Sequence, residues 1–369
     1  MEKLIQEYSL DFNDKYLELD WNKVNNLNGI EKFTQLKGLS LEYNAINDIS
    51  KLQTLTTLKY LKLYGNSLTE ISGIQNLTKL KELELSGNDI TEIVNLHKLT
   101  NLTNLDLCSN QISEMKRLDN LLKLKNLEIS DNSIVKIKGL KNLTCLENLY
   151  LHTNQISKIE GLGTLVNLKN LFINYNEIVN INGLKNLVNL KKLNLSGNII
   201  SNIKGLNNLT NLEKLDLSEN LIIDIKGLNH LLNLKVLNIS KNNIKKIEGI
   251  DKLINLQELY IDNNPLIEIN GFKTLINLYI LEIDDSQIIK INYLAIPDSL
   301  KYINYNEHDS FNCKIRKDIC LKAKLLLDKI MIINTIKWWY KNHHLMKPYH
   351  PYCIKYHKNI IDKYNSNSL

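Results

Sequence analysis

The chain has 369 residues, 46 Lys and Arg against 40 Asp and Glu, a net charge of +6 and five cysteines. An odd, scattered set (Cys108, Cys145, Cys313, Cys320, Cys353) argues against a disulfide scaffold and for a reducing compartment. The opening stretch Met1–Phe12 carries Glu2, Lys3, Glu7 and Asp11 with no apolar stretch of a secretion signal, so the sequence is read as intracellular, cytoplasmic or nuclear.

In chain order, residues 1–13 come first and are expected to form an N-terminal cap. From Asp14 a 22-residue pattern then restarts without a break: at Leu36, Leu58, Leu80, Leu102, Leu124, Leu146, Leu168, Leu190, Leu212, Leu234, Leu256 and Leu278, with a partial strand from Leu300. A fixed period of this length means one supersecondary unit stacked on itself. The pattern reads L-x-x-L-x-L-x-x-N-x-I-x-x-I-x-G-L-x-x-L-x-N. Its L-x-L pair, such as Leu149 and Leu151, has the two-residue period of a strand. The later apolar residues, Ile156, Ile159, Leu162 and Leu165 in that repeat, recur every third residue, which suits a 3₁₀ or extended return path. Too little chain is left for an α-helix.

Position nine is Asn in twelve of thirteen repeats, from Asn22 to Asn264, with Ser286 in the last. A buried amide at a bend must find partners, and stacked in register it can reach backbone groups of its own coil and the adjacent one. Position sixteen is Gly in nine repeats, which predicts a turn with φ > 0 or a close approach between coils; Lys51, Asn95, Arg117 and Tyr293 stand there in the others.

These residues resemble the leucine-rich repeat family in its short, 22-residue class. Within it the chain is similar to the nuclear regulatory subunit of protein phosphatase 1 and to the repeat region of bacterial internalins. The resemblance covers about four fifths of the chain. It implies an α/β fold: a leucine-rich repeat right-handed solenoid over 14–306, shaped as a curved horseshoe. A parallel β-sheet would line its concave face, with 3₁₀ or extended segments on the convex side and an α-helical C-terminal cap over 307–369. The phosphatase-regulator likeness further implies that Glu258 and Tyr260, in LQELYIDNN, and Phe172, in LKNLFINYN, fall on partner-contacting positions.

The residues themselves mark the same wall. Positions three, five, seven and eight are taken as its exposed strand positions. Position five is acidic in six repeats, including Asp106 and Glu128. Aromatic residues gather in two groups: Tyr150, His152, Phe172 and Tyr175 on two neighbouring coils, and Trp21, Tyr43 and Tyr64 near the start. Tyr and Trp are favoured anchors of protein interfaces, and the carboxylates predict a protein partner with a basic patch. A solvated polar sheet face is the plain alternative for any one of these residues.

The repeat fails after Tyr305. Ile319, Ala323, Leu326, Ile330 and Ile333 follow helical spacing and Trp338, Trp339 and Tyr340 come next, which reads as a helical cap over the open solenoid end. Residues 307–369 hold twelve Lys and Arg against five Asp and Glu, so they carry +7 and the remainder −1. That segment could also bind an anionic partner, a nucleic acid or a membrane surface. Cys313, Cys320, His343, His344, His350, Cys353 and His357 raise zinc, but no C-x₂-C or H-x₃-H pair is present and no cofactor is expected. No phosphate loop, serine elbow or HExxH motif occurs, so neither an enzyme nor a small-molecule substrate is expected. The reading is a non-enzymatic protein-interaction scaffold, with regulation of a phosphatase-like partner as its narrower form. The alternatives are an internalin-like surface adhesin and a binder of nucleic acid or membrane through its basic tail.

Overall fold

The computed structural model describes residues 5–6, 9–267, 271–284, 297, 299–300 and 302–303. One sheet organises all of it. Its strands are β1 (Tyr16–Glu18), β2 (Gly38–Ser40), β3 (Tyr60–Lys62), β4 (Glu82–Glu84), β5 (Asn104–Asp106), β6 (Asn126–Glu128) and β7 (Asn148–Tyr150). They continue as β8 (Asn170–Phe172), β9 (Lys192–Asn194), β10 (Lys214–Asp216), β11 (Val236–Asn238), β12 (Glu258–Tyr260), β13 (Ile280–Glu282) and β14 (Tyr302–Ile303). The order is sequential from β1 to β14, and every neighbouring pair is parallel. Register follows the 22-residue period, so Leu149 lies beside Leu127 and Leu171. Strands such as β7 and β8 are three residues long, because only repeat positions three to five are extended; the middle one points inward and the outer two face solvent.

The remaining apolar positions fill the space behind the sheet. In the coil from Leu146, the side chains of Leu149, Leu151, Ile156, Ile159, Leu162 and Leu165 are all buried in one continuous core. A single coil has two open faces, so burial of this kind exists only between stacked coils. The return path is made of turns and extended segments. Among the described residues, 3₁₀ helix occurs only at Ile30–Lys32, Ser50–Thr54 and Phe272–Thr274, so the return path is more turn than helix. At the start, Ile5 and Leu10 pack against the core, and Phe12 meets Phe33 edge-on with centroids 5.0 Å apart. The expected α-helical cap over 307–369 and the zinc candidates of that segment lie outside the described residues.

The Asn column closes the polar side of the core. Asn198 is typical: its Nδ2 donates to the carbonyls of Ile173 and Leu195 at 3.2 and 3.0 Å, and its Oδ1 accepts from the amide of Ile178 at 2.9 Å. Ile173 and Ile178 belong to the preceding coil and Leu195 to its own, so one amide serves both coils as the sequence requires. Gly at position sixteen takes φ between 75° and 124° in all nine repeats that carry it. Asn95 and Arg117 adopt the same sign there, with φ 63° and 61°, whereas Lys51 sits within a 3₁₀ helix.

A second column of positive φ runs through position eight, which the sequence pattern assigns to the strand face. From Trp21 to Asn263 all twelve coils have φ between 51° and 65° there, although only Gly65, Gly87 and Gly197 are glycine. This corrects the placement of Trp21, Tyr43 and Tyr175: they stand on a left-handed turn beyond the strand, not on it. The turn is needed because the chain must bend sharply to carry the following Asn inward.

Candidate functional site

The parallel register sets each outward column in a line, about 4.8 Å from strand to strand. At position five this places Lys62 beside Glu84, Glu84 beside Asp106, Asp106 beside Glu128, Glu128 beside Tyr150, and Tyr150 beside Phe172. Three carboxylates in succession are unfavourable neighbours. Lys62 relieves one end, with its Nζ 3.6 Å from Glu42 and 3.7 Å from Glu84. Asp106 and Glu128 have no ion-pair partner among the described residues. Their compensation is hydrogen bonding: Asp106 accepts from the Cys108 amide at 2.9 Å and from the Ser86 hydroxyl, and Glu128 accepts from the Ser130 amide at 3.1 Å and from the Ser130 hydroxyl. Those bonds do not cancel desolvation. Burial, with the neighbouring Glu128 charge, pushes the Asp106 carboxyl above its usual range, and burial does the same to Glu128. Glu84 is also raised, by burial and the Asp106 charge against the pull of Lys62. Together with Tyr60, Glu82, Asn104 and Asn126, these side chains line a shallow groove of about 240 Å³.

Beyond the carboxylates lies a ring platform. Tyr150 and Phe172 stack with centroids 5.0 Å apart and planes 6° from parallel. His152, two residues on from Tyr150, shares a 2.7 Å hydrogen bond with Ser130 Oγ, and burial holds its imidazole below the usual range. Tyr175 does not join this group. It is 51% exposed, and its ring lies over Gly197 of the next coil, where a Cβ would come within 2.3 Å of Cδ1. The sequence groups four residues; the structure stacks Tyr150 on Phe172, ties His152 to Ser130 of the preceding coil and sets Tyr175 apart at the turn.

The first aromatic group is brought together. Trp21 stacks on Tyr43 at 3.8 Å and 15°, and Tyr43 meets Tyr64 edge-on at 4.7 Å and 84°. Trp21 remains 70% exposed. Tyr43 and Tyr64 also cover Gly65 and Gly87, so part of their exposed area supports the turns. At the other end, Glu258 accepts from the hydroxyls of Tyr260 and Tyr279 at 3.0 and 2.9 Å. Burial and the Glu258 charge push the Tyr260 phenol well above its usual range, so Glu258 and Tyr260 form one internally satisfied unit.

One feature of this face escapes a reading of the sequence by repeat class. Position three is Asn in β5 to β8, and the amides form a ladder in which the Nδ2 of Asn126, Asn148 and Asn170 donates to the Oδ1 of Asn104, Asn126 and Asn148 in turn. Four consecutive Asn at one repeat position is the signal that could have found it. On the strand-entry edge, Asn167, Lys169, Asn189, Lys191, Asn211, Glu213, Asn233 and Lys235 line a further groove of about 400 Å³. Its charges are largely paired, with Lys169 on Glu147 at 2.5 Å and Lys235 on Glu213 at 2.8 Å. Among the described residues no cluster of His, Cys, Asp and Glu is arranged to hold a metal.

A coiled parallel sheet with an Asn column is the architecture of repeat proteins that present one long wall to other molecules. The family description "Leucine Rich repeats (2 copies)" matches residues 122–164, 188–230, 210–252 and 232–274. The leucine-rich repeat domain of endo-beta-N-acetylglucosaminidase EndoS matches residues 5–110. An internalin (inlF) from Listeria monocytogenes is 30% identical with a TM-score of 0.72, over 83% of this chain and 89% of that one. InlJ from Listeria monocytogenes is 24% identical with a TM-score of 0.66, over 79% of this chain. TLR13, solved in a complex with ssRNA13, is 25% identical with a TM-score of 0.67, over 79% of this chain. The alignments span 63% of the InlJ chain and 47% of the TLR13 chain. No curated protein matches the sequence. The chain belongs to the leucine-rich repeat family, and its repeat region is similar to that of the internalins. Proteins of this family are typically interaction scaffolds.

Proposed function

We propose that the protein is a non-enzymatic scaffold that receives a protein partner on the exposed face of its sheet, centred on β4 to β8. The observation that carries this reading is the unbroken line Glu84, Asp106, Glu128, Tyr150, Phe172, in which carboxylates short of cations run directly into a half-buried ring stack. Half-desolvated carboxylates without cations favour a partner that brings Lys or Arg, and ring faces beside them supply the apolar anchor that such contacts need. Trp21, Tyr43 and Tyr64, on the segments just beyond β1, β2 and β3, continue this surface along one edge of the sheet.

Affinity capture from cells with the native chain, a Tyr150→Ala/Phe172→Ala variant and a Glu84→Gln/Asp106→Asn/Glu128→Gln variant tests the assignment. A partner held by the native chain and lost from both variants is the expected result. Equal capture by all three removes this face from consideration. A phosphatase catalytic subunit among the lost partners would support the narrower regulatory reading, with Phe172, Glu258 and Tyr260 as its contacts.

Likeness to internalins favours a second reading, a cell-surface adhesin. We place the protein inside the cell instead, on the strength of its free thiols: Cys145 is exposed and Cys108 half-buried, neither in a disulfide. Protease shaving of intact cells separates the two, since a surface adhesin is cleaved and an intracellular scaffold is spared.

A further inference from the structure

We propose that the basic segment 307–369 of this chain docks on its own acidic sheet face over β1 to β6, so that a protein partner must displace it to bind. The inference rests on the functional reading of that face and adds its regulation. It starts from how charge is divided. Repeat positions five and seven, in β1 to β6 and just beyond them, carry Glu18, Asp20, Glu42, Glu84, Asp106 and Glu128 against the single cation Lys62. Residues 307–369 carry +7, while the other 306 residues sum to −1. The chain therefore keeps its cationic excess in one segment and a concentrated anionic face in another.

Among the described residues, Lys62 is the one cation paired with this face. Lys62 pairs with Glu42 and Glu84 alone, and Asp106 and Glu128 are half-buried with backbone amides and the Ser86 and Ser130 hydroxyls as their partners. Burial raises the carboxyls of Glu84, Asp106 and Glu128, and the neighbouring acid adds to the rise at Glu84 and Asp106. Other occupants fit less well. A second copy laid face to face would set carboxylate against carboxylate, and an anionic membrane would be repelled. The lysines Lys169 and Lys235 on the strand-entry edge are already committed to Glu147 and Glu213.

Reach is sufficient. From β14 back to β4 is ten strand steps, about 48 Å at 4.8 Å each. Lys337 lies 34 residues beyond Ile303; even with 319–333 helical at about 1.5 Å per residue and the other 19 extended at about 3.3 Å, the segment spans up to about 85 Å. A tethered segment meets its site at an effective concentration on the order of millimolar, so even weak charge pairing competes with a free partner. Trp338, Trp339 and Tyr340 bring ring faces of the kind that the Tyr150–Phe172 stack packs against.

Zero-length carbodiimide cross-linking of the full chain reads the contact directly. An equal mixture of ¹⁵N-labelled and unlabelled protein is cross-linked and mapped by mass spectrometry. The expected result is linkage of Glu84, Asp106 or Glu128 to lysines of 307–369 in same-isotope pairs, lost at about 1 M salt, where the screening length falls to about 3 Å. No such linkage overturns the proposal, and so does linkage in mixed-isotope pairs, which would mean docking between copies. A full-length variant with Lys314, Arg316, Lys317, Lys337, Lys341 and Lys347 changed to Gln gives the second measurement. It should bind an octa-arginine peptide about tenfold more tightly than the native chain does, because the competing tether is weakened. Equal tight binding by both overturns self-docking and leaves the acidic face standing as a binding surface. Weak binding by both, with no loss in the Glu84→Gln/Asp106→Asn/Glu128→Gln variant, removes the acidic face itself.

Discussion

Replacing Asn198 by Ala should be among the most destabilising single truncations of a polar side chain in this protein, and its cost can be worked from the hydrogen bonds. Asn198 is 6% exposed. Its Oδ1 is the acceptor for the Ile178 amide, and truncation orphans that buried N–H at about 1–3 kcal/mol. Its Nδ2 donates to the carbonyls of Ile173 and Leu195. Those two are not left bare, because Ile173 O also accepts from Asn176 and Leu195 O from Asn220. Each then loses one of two donors, a cost near the low end of a hydrogen bond, about 0.5–1 kcal/mol. The total is about 3 kcal/mol. The internal control is Asn189→Ala: that side chain is exposed and donates one 2.9 Å bond to Val166 O, so its loss should cost less than about 1 kcal/mol. Urea unfolding followed by circular dichroism compares the two variants with the native chain through the shift in midpoint. If Asn198→Ala costs no more than Asn189→Ala, the Asn column does not hold the coils together.

Three further outcomes are expected of the same structure. Because the folded protein raises the Asp106 and Glu128 carboxyls above their ordinary values of 3.8 and 4.5, it binds protons that the unfolded chain has released. Stability from these groups is full below the unfolded values and is lost as pH rises through the folded ones; Asp106→Asn/Glu128→Gln should therefore raise the melting temperature at neutral pH, with the gain vanishing in acid. A melting temperature unchanged or lowered at neutral pH would contradict the burial argument. Gly183→Ala should destabilise by about 3 kcal/mol or more, because φ is 100° and a Cβ would lie 1.9 Å from the Ile159 carbonyl oxygen. Gly227→Ala meets nothing closer than 3.8 Å and should cost only the backbone strain, about 1–2 kcal/mol, so equal unfolding midpoints would refute the distinction. Asn148→Asp removes the donor to Asn126 and adds a negative charge to the amide ladder, so it should lower stability at neutral pH and regain part of it on acidification, whereas an effect independent of pH would place the ladder outside the energetics of this face.

Repetition made much of this molecule legible. The period fixed the number of coils, the buried leucines and the inward Asn, because each must recur wherever a coil needs the same contact with the next. Glycine at position sixteen was readable for the same reason, and φ is positive at every such glycine. Position eight was not readable: Trp21, Asp131, Glu219 and Lys241 share a left-handed backbone there without sharing any side-chain chemistry. The bend is forced by where the chain goes next, not by the residue that makes it. The candidate site was legible as a set of residues and only partly as an arrangement. Tyr150 and Phe172 stack, Trp21, Tyr43 and Tyr64 adjoin, but Tyr175 leaves its group to cover Gly197 and Glu258 is taken up by two phenols.

Sequence alone determined that this chain winds into a leucine-rich repeat solenoid, since a strict 22-residue apolar period has no other way to bury its leucines. Only the tertiary structure decided which surface residues are neighbours. Residues 22 apart become adjacent across one strand spacing, and the raised carboxyls of Asp106 and Glu128, the amide ladder and the ring stack all arise from that sideways adjacency, which no linear reading of a single repeat contains.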